Sequence, residues 1–452
     1  MRAPLLLLFL CLLAAVRAAA ADVTLRAGAA HEDITPEPEV LNWVTGKAYG
    51  SVLDRLNVHA LVLDDGHTRA LLVRWDLTDV SESARDEVRQ RVGEALHIPP
   101  ENILVHASHN HSAPWTPSYR GGVRGKERDT WWAIRHMPAQ NDFPPFSRWM
   151  NRLLEASVAA ARRAAESATP ASMWIGRVDV SEYLHNRRPR APAWGLAGKP
   201  PPPVTVSQPD WHPEVLQAGA SFGPLDRTLA LVSFRDANAN TVASLFHVAC
   251  HAVSIYPSNP ALSADWPGAA SQTISAALGG EAVFLQGCAG DINPWRRGSA
   301  AVAEMAAGFA AKTRLAARYS VELAAAPLQF GRRVIELPLT PVAKQRVGAD
   351  TVAAEIQVIT CGPLALVALP GEPMTELNLA IRERSPFPQT LVLGYSNGNG
   401  VHYVGMPGEK ARGGYEAGVA GAGTDECGTL LVNAALDVLN EMFARVRPTV
   451  SR

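Results

Sequence analysis

Four strand-like apolar segments of this chain each run directly into a turn of polar or glycine residues. These turns hold His109, His251, Asp291 and Glu372. Such turns often carry functional side chains, because a strand fixes their position while the loop leaves them open to a ligand. The four segments together offer several imidazoles and a carboxylate from distant parts of the sequence. For these groups to act together, the fold has to bring the ends of distant strands to one place.

Strands and helices alternate along the chain. This alternation predicts an α/β (mixed α+β) fold with central β-sheets flanked by helices. No internal repeat is visible in the sequence. Strands are predicted over residues 24–30, 58–63, 69–75, 103–106, 228–234, 242–249, 282–285, 330–337, 354–360, 364–369 and 390–393. Helices are predicted over residues 81–96, 146–168, 269–278, 301–317, 374–384 and 430–444.

The N-terminal residues have the pattern of a secretory signal peptide, predicted over residues 1–21. Arg2 supplies the basic start, residues 5–16 form the apolar core, and residues 18–21 offer small-residue cleavage sites. We therefore expect a secreted or periplasmic protein whose signal peptide is cleaved. The alternative is that this segment is retained as a lipid-facing helix. No later apolar run has the length of a membrane span.

Composition excludes some classes of function. A formal net charge of -1 gives no electrostatic reason to expect nucleic acid as a partner. Hydrophobic residues make up 47% of the chain and charged residues 19%, which suits a large buried core. The four cysteines outside the leader include no C-x-x-C pair, so a cysteine zinc site is not expected. The proline-rich stretch 189–213 is predicted to be a loop, either a surface excursion or a wall over a cleft.

His109 and His111 are the most specific chemical signal in the sequence. In extended backbone, residues two apart point to the same face, so both imidazoles converge on one point. With His251 and Glu372 they form a mixture that suits catalytic zinc, which takes three protein ligands and keeps one position open. Each residue also has a structural alternative. His251 fits a core position, Glu372 the first turn of a helix and Asp291 a turn.

Several ordered segments resemble the neutral/alkaline non-lysosomal ceramidase family. The similarity runs over nearly the whole chain after the leader, and the segments are jointly far more specific than any one alone. They are residues 27–30 and 33–36 near the N-terminus, the His109–Pro114 motif, Cys250–Ala252, Gln286–Pro294, Leu369–Glu372, the His402-Tyr403 pair and Tyr415–Ala417.

The resemblance implies one zinc ion per chain and a single catalytic domain over residues 22–452, like that of neutral ceramidase. The implied zinc ligands are His109, His251, Glu372 and Tyr403, with His402 as a rival to Tyr403. The implied catalytic residues are His111, Tyr415 and Arg187. His111 would transfer protons, while Tyr415 and Arg187 would donate hydrogen bonds to the developing oxyanion.

The implied activity is hydrolysis of the N-acyl amide bond of ceramide or a related N-acyl lipid through a metal-activated water. The alternatives are a zinc esterase or lactonase, and an exported binding protein without turnover. Any contact of this protein with a membrane surface is expected to be transient.

Two departures from the family bear on the substrate. Asn293 stands where the family has a serine, and we expect this chain to lack the family's additional C-terminal β-sandwich domain.

Overall fold

The computed structural model describes residues 25–119, 140, 142–190, 221–324 and 327–446. The predicted signal peptide over residues 1–21 and most of the proline-rich stretch 189–213 lie outside these residues. In the described residues the seven α-helices are α1 (Glu82–Leu96), α2 (Pro144–Glu166), α3 (Asp265–Leu278), α4 (Ser299–Arg318), α5 (Pro341–Val347), α6 (Thr375–Arg384) and α7 (Cys427–Val446).

The strands confirm the predicted mixture of sheets and helices. In chain order they are β1 (Arg26–Asp33), β2 (Asn57–Asp64), β3 (Arg69–Trp75), β4 (Ile103–Ala107), β5 (Thr169–Pro170), β6 (Ser172–Asp179), β7 (Leu184–Asn186), β8 (Pro189–Arg190), β9 (Ser221–Phe222), β10 (Thr228–Arg235), β11 (Thr241–Val248), β12 (Glu281–Gln286), β13 (Ile292–Pro294), β14 (Val321–Leu323), β15 (Leu328–Pro338), β16 (Thr351–Cys361), β17 (Leu364–Ala368), β18 (Glu372–Pro373), β19 (Gln389–Leu393) and β20 (Tyr403–Val404).

Three parts of the chain share one topology, and we call them units 1, 2 and 3. In each unit three antiparallel strands are followed by a helix and by a fourth strand that pairs in parallel with the third. Unit 1 contains β1, β2, β3, α1 and β4. Unit 2 contains β6, β10, β11, α3 and β12, and unit 3 contains β15, β16, β17, α6 and β19. The sequence does not show this repetition, because a shared topology needs matching apolar faces and not matching residues.

Each unit is completed by a second helix that packs on its first two strands. This helix is α2 in unit 1, α4 in unit 2 and α7 in unit 3, and each also packs on its unit's crossover helix. The inner faces of the three sheets meet in one apolar core. Residues from all three units contribute to it, among them Leu61, Leu72, Ile175, Val232, Leu245, Leu366 and Leu391. The sheets are therefore fixed relative to one another by burial of apolar surface.

Strand β6 was not predicted from the sequence. A glycine inside a strand weakens the pattern, and Gly176 stands in the middle of this one. A Cβ at Gly176 would lie 2.1 Å from the carbonyl oxygen of Ala316 in α4. The glycine is therefore required by the close approach of α4 to the sheet.

The parallel strand pairs bring the chemically interesting turns together. The third strand of units 2 and 3 runs into the turns with His251 and Glu372, and the fourth strand of unit 1 runs into the turn with His109. Hydrogen bonds join units at this end, including Ala107 N–H to the carbonyl of Tyr395 at 3.1 Å. None of the helices in the described part of the chain is long and apolar enough to cross a membrane.

Candidate functional site

Three of the predicted ligands, one from each unit, meet at a single point. The Nε2 atom of His109 lies 3.0 Å from Oε2 of Glu372, and the Nε2 atom of His251 lies 3.2 Å from the same oxygen. His111 joins them, with its Nε2 atom 3.1 Å from Nε2 of His109. We call these four residues the central cluster. The structure thus brings together side chains that span 263 positions of the sequence (372 − 109).

Backbone carbonyls fix the orientation of two of these rings. Nδ1 of His109 donates to the carbonyl of Thr78 at 2.7 Å, and Nδ1 of His251 donates to the carbonyl of Ala289 at 2.7 Å. A carbonyl can only accept, so the neutral rings carry their protons on Nδ1 and their lone pairs on Nε2. Those lone pairs face the carboxylate of Glu372. Acceptors that face acceptors in this way require a cation or a proton between them.

Burial favours a cation other than a proton at this point. His251 is fully buried, and this burial, reinforced by Arg187 and His109, lowers its pKa to about 3. Its ring is therefore neutral at pH 7. Burial alone would raise the pKa of Glu372, but the contacts with His109 and His251 outweigh it and hold that pKa well below its usual value. Imidazole nitrogens around a carboxylate are a donor set that zinc takes in proteins, so the residues present fit a zinc ion.

The hydrogen bonds from His109 and His251 to backbone carbonyls are also typical of a metal site. A ligating histidine usually donates its other ring nitrogen to a carbonyl or carboxylate, which fixes its orientation. His109, His111 and His251 offer nitrogen atoms that lie within 4.8 Å of one another. His111 is therefore near enough to be a ligand itself, although the sequence analysis assigned it a proton-transfer role.

His111 is the outward member of the central cluster. It is partly exposed, whereas His109 and His251 are buried. Burial within the site and the neighbouring His109 and His251 lower its pKa well below the usual value. The rings of Trp43 and Tyr256 each lie 5.5 Å from its ring. His111 thus presents a neutral imidazole between the central cluster and an aromatic rim.

Tyr403 lies next to His251. Its hydroxyl is 3.4 Å from Nε2 of His251, and Arg187 donates to the same hydroxyl at 3.1 Å. Strand β20 places it there, because Tyr403 pairs directly with Glu372 in β18. Arg187 is itself held by Glu416 at 2.6 Å and by Asn293, whose side-chain oxygen accepts at 3.2 Å. Asn293, at the position of the family serine, therefore holds an arginine of the site.

His402 contacts Oε1 of the Glu372 carboxylate. Its Nε2 atom lies 3.2 Å from Oε1 of Glu372, while His109 and His251 face Oε2. The His402 ring stacks parallel to Trp115. The two rival ligands therefore make different contacts, His402 with Glu372 and Tyr403 with His251.

Tyr415 lies at the edge of the site. Its ring is 5.7 Å from that of Tyr403, and it is 48% exposed. It opens a π-helical turn, Tyr415–Ala420, that also carries the strongly exposed Val419. Its phenol ring therefore borders Tyr403 at an exposed edge of the site. Burial raises its pKa, so it is protonated and able to donate at pH 7.

Tyr395 is a site residue that the sequence analysis missed. Its ring stacks on His109 with centroids 4.0 Å apart, and its hydroxyl lies 3.4 Å from Oε2 of Glu372. It follows the fourth strand of unit 3, as His109 follows the fourth strand of unit 1. This correspondence is visible only in the topology. A tyrosine between apolar residues and a serine gave no signal of its own.

Three residues of the site have left-handed backbone conformations. The φ angles are 60° at His109, 50° at Tyr395 and 64° at His402. Such angles cost free energy for residues other than glycine, and they cluster at functional sites where the surrounding structure enforces them. Here they aim side chains at Glu372.

Asp291 has a structural role. Its carboxylate accepts hydrogen bonds at 2.8 Å from the backbone and hydroxyl of Thr375 at the start of α6, and at 2.7 Å from Asn186. It therefore ties the turn after β12 to unit 3 and lies behind the central cluster. The four cysteines Cys250, Cys288, Cys361 and Cys427 are buried, and no disulfide joins them in the part of the chain that the structure describes.

Comparison with known proteins gives structural neighbours only. No family model and no curated protein matches the sequence. A solved structure titled "Ceramidase complexed with C2" matches with a TM-score of 0.72 and 16% identity, over 95% of this chain and 77% of that one. A neutral ceramidase from Pseudomonas aeruginosa matches with a TM-score of 0.70 and 18% identity, over 95% of this chain and 76% of that one. At these identities the similarity is one of fold, and the fold of this chain is that of the neutral ceramidases.

Proposed function

We propose that this protein is a zinc-dependent amidohydrolase that cleaves the N-acyl amide bond of ceramide or a related N-acyl lipid. The reaction consumes one water, breaks the bond between carbonyl carbon and nitrogen, and releases a fatty acid and an amine. The observation that carries the proposal is the central cluster. Two buried histidines direct their Nε2 atoms at one carboxylate oxygen, at 3.0 and 3.2 Å.

The proposed zinc ligands are His109, His251, Glu372 and Tyr403. When bound, zinc supplies a Lewis acid that polarises the amide carbonyl and lowers the pKa of water toward neutrality. His109 and His251 enter this role with their orientation already fixed by backbone carbonyls. Tyr403 is favoured over His402 because its hydroxyl lies next to His251, whereas His402 contacts Oε1 of Glu372.

His111 is the proposed proton-transfer residue. Its ring is neutral at pH 7 and is the most exposed of the three clustered histidines, so it is able to accept a proton from water. The same ring would then hand that proton to the departing amine. Release of the amine requires this second transfer, because a deprotonated amine is a poor leaving group.

Tyr415 is proposed to stabilise the oxyanion, and Arg187 is proposed to position Tyr403. Tyr415 is the proposed donor to the oxyanion, since it is protonated at pH 7 and its ring borders Tyr403 at the exposed edge of the site. Arg187 acts on Tyr403, because its guanidinium is enclosed by Glu416, Asn293 and the Gly290 carbonyl as well as by the tyrosine hydroxyl. It is therefore a positioning residue in this proposal.

The rim of the site suits an acyl chain. Trp43, Trp115 and Tyr256 lie around His111 and His402, and Val419 beside Tyr415 is 76% exposed. Aromatic and aliphatic surface next to a polar centre is typical of sites for amphipathic ligands. A soluble amide with no acyl chain would use little of this surface.

The test is an assay on fluorescent N-acylsphingosine, run beside the matching O-acyl ester. We expect amide hydrolysis by the zinc-loaded protein, loss of it after chelation, and recovery on addition of zinc. Hydrolysis of the ester alone would replace the proposal with the esterase alternative. One equivalent of zinc at the central cluster with no hydrolysis of either substrate would favour a binding protein.

A further inference from the structure

A second group of metal-ligating side chains lies outside the central cluster. It consists of His31, His59 and Glu281, which we call the outer cluster. One nitrogen of each histidine and one oxygen of Glu281 lie within 4.8 Å of one another. His31 in β1 and His59 in β2 are directly opposed in the antiparallel pairing of unit 1, and Glu281 is the first residue of β12 in unit 2. The three residues therefore join two sheets.

Both imidazoles of the outer cluster face the same carboxylate. Nδ1 of His31 lies 3.1 and 3.0 Å from the two oxygens of Glu281, and Nδ1 of His59 lies 2.7 Å from Oε1. The two rings are 5.5 Å apart and tilted by 38°. Oε1 of Glu281 is thus close to two ring nitrogens, whereas a simple ion pair would bring only one histidine to the carboxylate.

We propose that His31, His59 and Glu281 form a second zinc site, distinct from the catalytic zinc proposed above. Imidazole nitrogens with one carboxylate are a ligand set that zinc takes readily in proteins. The site is independent of the proposed function, because its three side chains contact one another and share no residue with the central cluster.

The geometry is close to what zinc requires. Ligand atoms of a tetrahedral zinc ion at about 2.0–2.1 Å from the metal lie roughly 3.3 Å from one another. The nitrogen–oxygen distances of 2.7–3.1 Å need to widen only slightly. His31 is able to move, since its side chain is 53% exposed, and Glu281 is 18% exposed. This exposure also leaves the fourth position open to water.

The neighbouring charges do not oppose a cation. Arg74, the buried arginine near His59, is paired with Asp76 at 2.7 Å. Arg163 near His31 is paired with Glu32 at 3.0 Å. Glu281 is therefore left as the local net negative charge. A zinc ion at this point would link unit 1 to unit 2 and stabilise their contact, because metal bound only by the folded state adds to its stability.

The test begins with a variant that lacks the central site. We expect the full chain to bind two equivalents of zinc in equilibrium dialysis against zinc alone, and the His109→Ala variant to bind one. Adding His31→Ala should remove that remaining equivalent, because His31 supplies an exposed ligand whose loss leaves the core intact. His67→Ala, which removes another exposed histidine of unit 1, is the matched control and should leave binding unchanged.

The outcomes separate this inference from the proposed function. No zinc on the His109→Ala variant, or zinc that persists in the His31→Ala double variant, would overturn the second site. One equivalent in the unmodified chain that vanishes with His31→Ala but not with His109→Ala would support it and contradict the central zinc. A second readout is the melting temperature, which zinc should raise in the His109→Ala variant and not in the double variant. Cobalt, whose visible absorption reports its ligands, should give the spectrum of a protein-bound ion in the His109→Ala variant and not in the double variant.

Discussion

The central and outer clusters use the same residue types, but only the outer cluster has a strongly exposed histidine. In the central cluster His109, His251 and Glu372 are at most 5% exposed, and backbone carbonyls accept from Nδ1 of both rings. In the outer cluster the His31 side chain is 53% exposed, and Nδ1 of each histidine contacts the Glu281 carboxylate itself. The central cluster is therefore oriented for a metal before one binds, while the outer cluster holds together as an ion pair without one.

This difference shows that the burial and the tautomer of the histidines decide whether they hydrogen-bond to a carboxylate or present lone pairs to a metal. The pKa of Glu281 is lowered to about 2 by hydrogen bonds from His31 and His59, which outweigh the opposing effect of burial. Its charge is satisfied in the metal-free protein. At Glu372 the situation differs, because backbone carbonyls hold the Nδ1 protons of His109 and His251 and the Nε2 atoms face the carboxylate. We therefore expect zinc to bind more tightly at the central cluster than at the outer one.

The largest effect should come from Glu372→Ala. Removing the shared carboxylate leaves His109 and His251 without their anionic partner, so the central zinc should be lost and hydrolysis should fall by roughly 10³-fold or more. Metal analysis and the N-acylsphingosine assay measure the two losses. The His67→Ala control should show neither. Full activity in the Glu372→Ala variant would contradict the proposed site.

His111→Ala should separate proton transfer from metal binding. We expect the central zinc to remain and the rate constant kcat to fall by about 10²–10⁴-fold, the range for loss of a general acid or base. Zinc titration followed by the hydrolysis assay measures both. If the variant lost its zinc instead, His111 would be a ligand, as its 3.1 Å distance to His109 also allows.

Tyr403→Phe and His402→Gln sharpen the choice between the rival ligands. The loss of a hydroxyl that faces His251 should lower zinc affinity at the central cluster by about 10–100-fold. His402→Gln keeps a hydrogen-bonding group near Glu372 and should have the smaller effect. Competition with a chromophoric chelator gives both affinities. A larger loss in the His402→Gln variant would exchange the two assignments.

The smallest effect should come from Glu281→Gln in the metal-free protein. The change removes the charge that His31 and His59 share, and should lower the free energy of unfolding by about 1–3 kcal/mol. Urea denaturation after chelation measures this loss. Hydrolysis per central zinc should be unchanged, since Glu281 lies outside that cluster. Reduced hydrolysis at full zinc loading would show that the two clusters are coupled.

Sequence alone predicted much of this architecture. The β3 range was predicted without error, and most long elements were predicted to within a few residues, because their apolar patterns are strong. The glycine in β6 hid that strand, since it reports helix packing and not strand propensity. The topology shared by the three units stayed hidden because it is carried by pairing between distant strands.

The site was predicted less completely. The strand-end motifs singled out His109, His251 and Glu372, the family resemblance added Tyr403, and the structure brings these side chains together. Tyr395 was missed because its role depends on stacking against His109, which no local pattern encodes. The outer cluster was missed because each of its residues looks ordinary on its own strand, and only the packing of unit 1 on unit 2 makes them neighbours.

The most direct test of the proposed site is zinc reconstitution of the chelated protein with the hydrolysis of N-acylsphingosine as readout. Since the central cluster binds more tightly in our account, activity should rise with the first equivalent of zinc and stay level during the second. Undiminished hydrolysis by the chelated protein, or activity that returns only with the second equivalent, would contradict it.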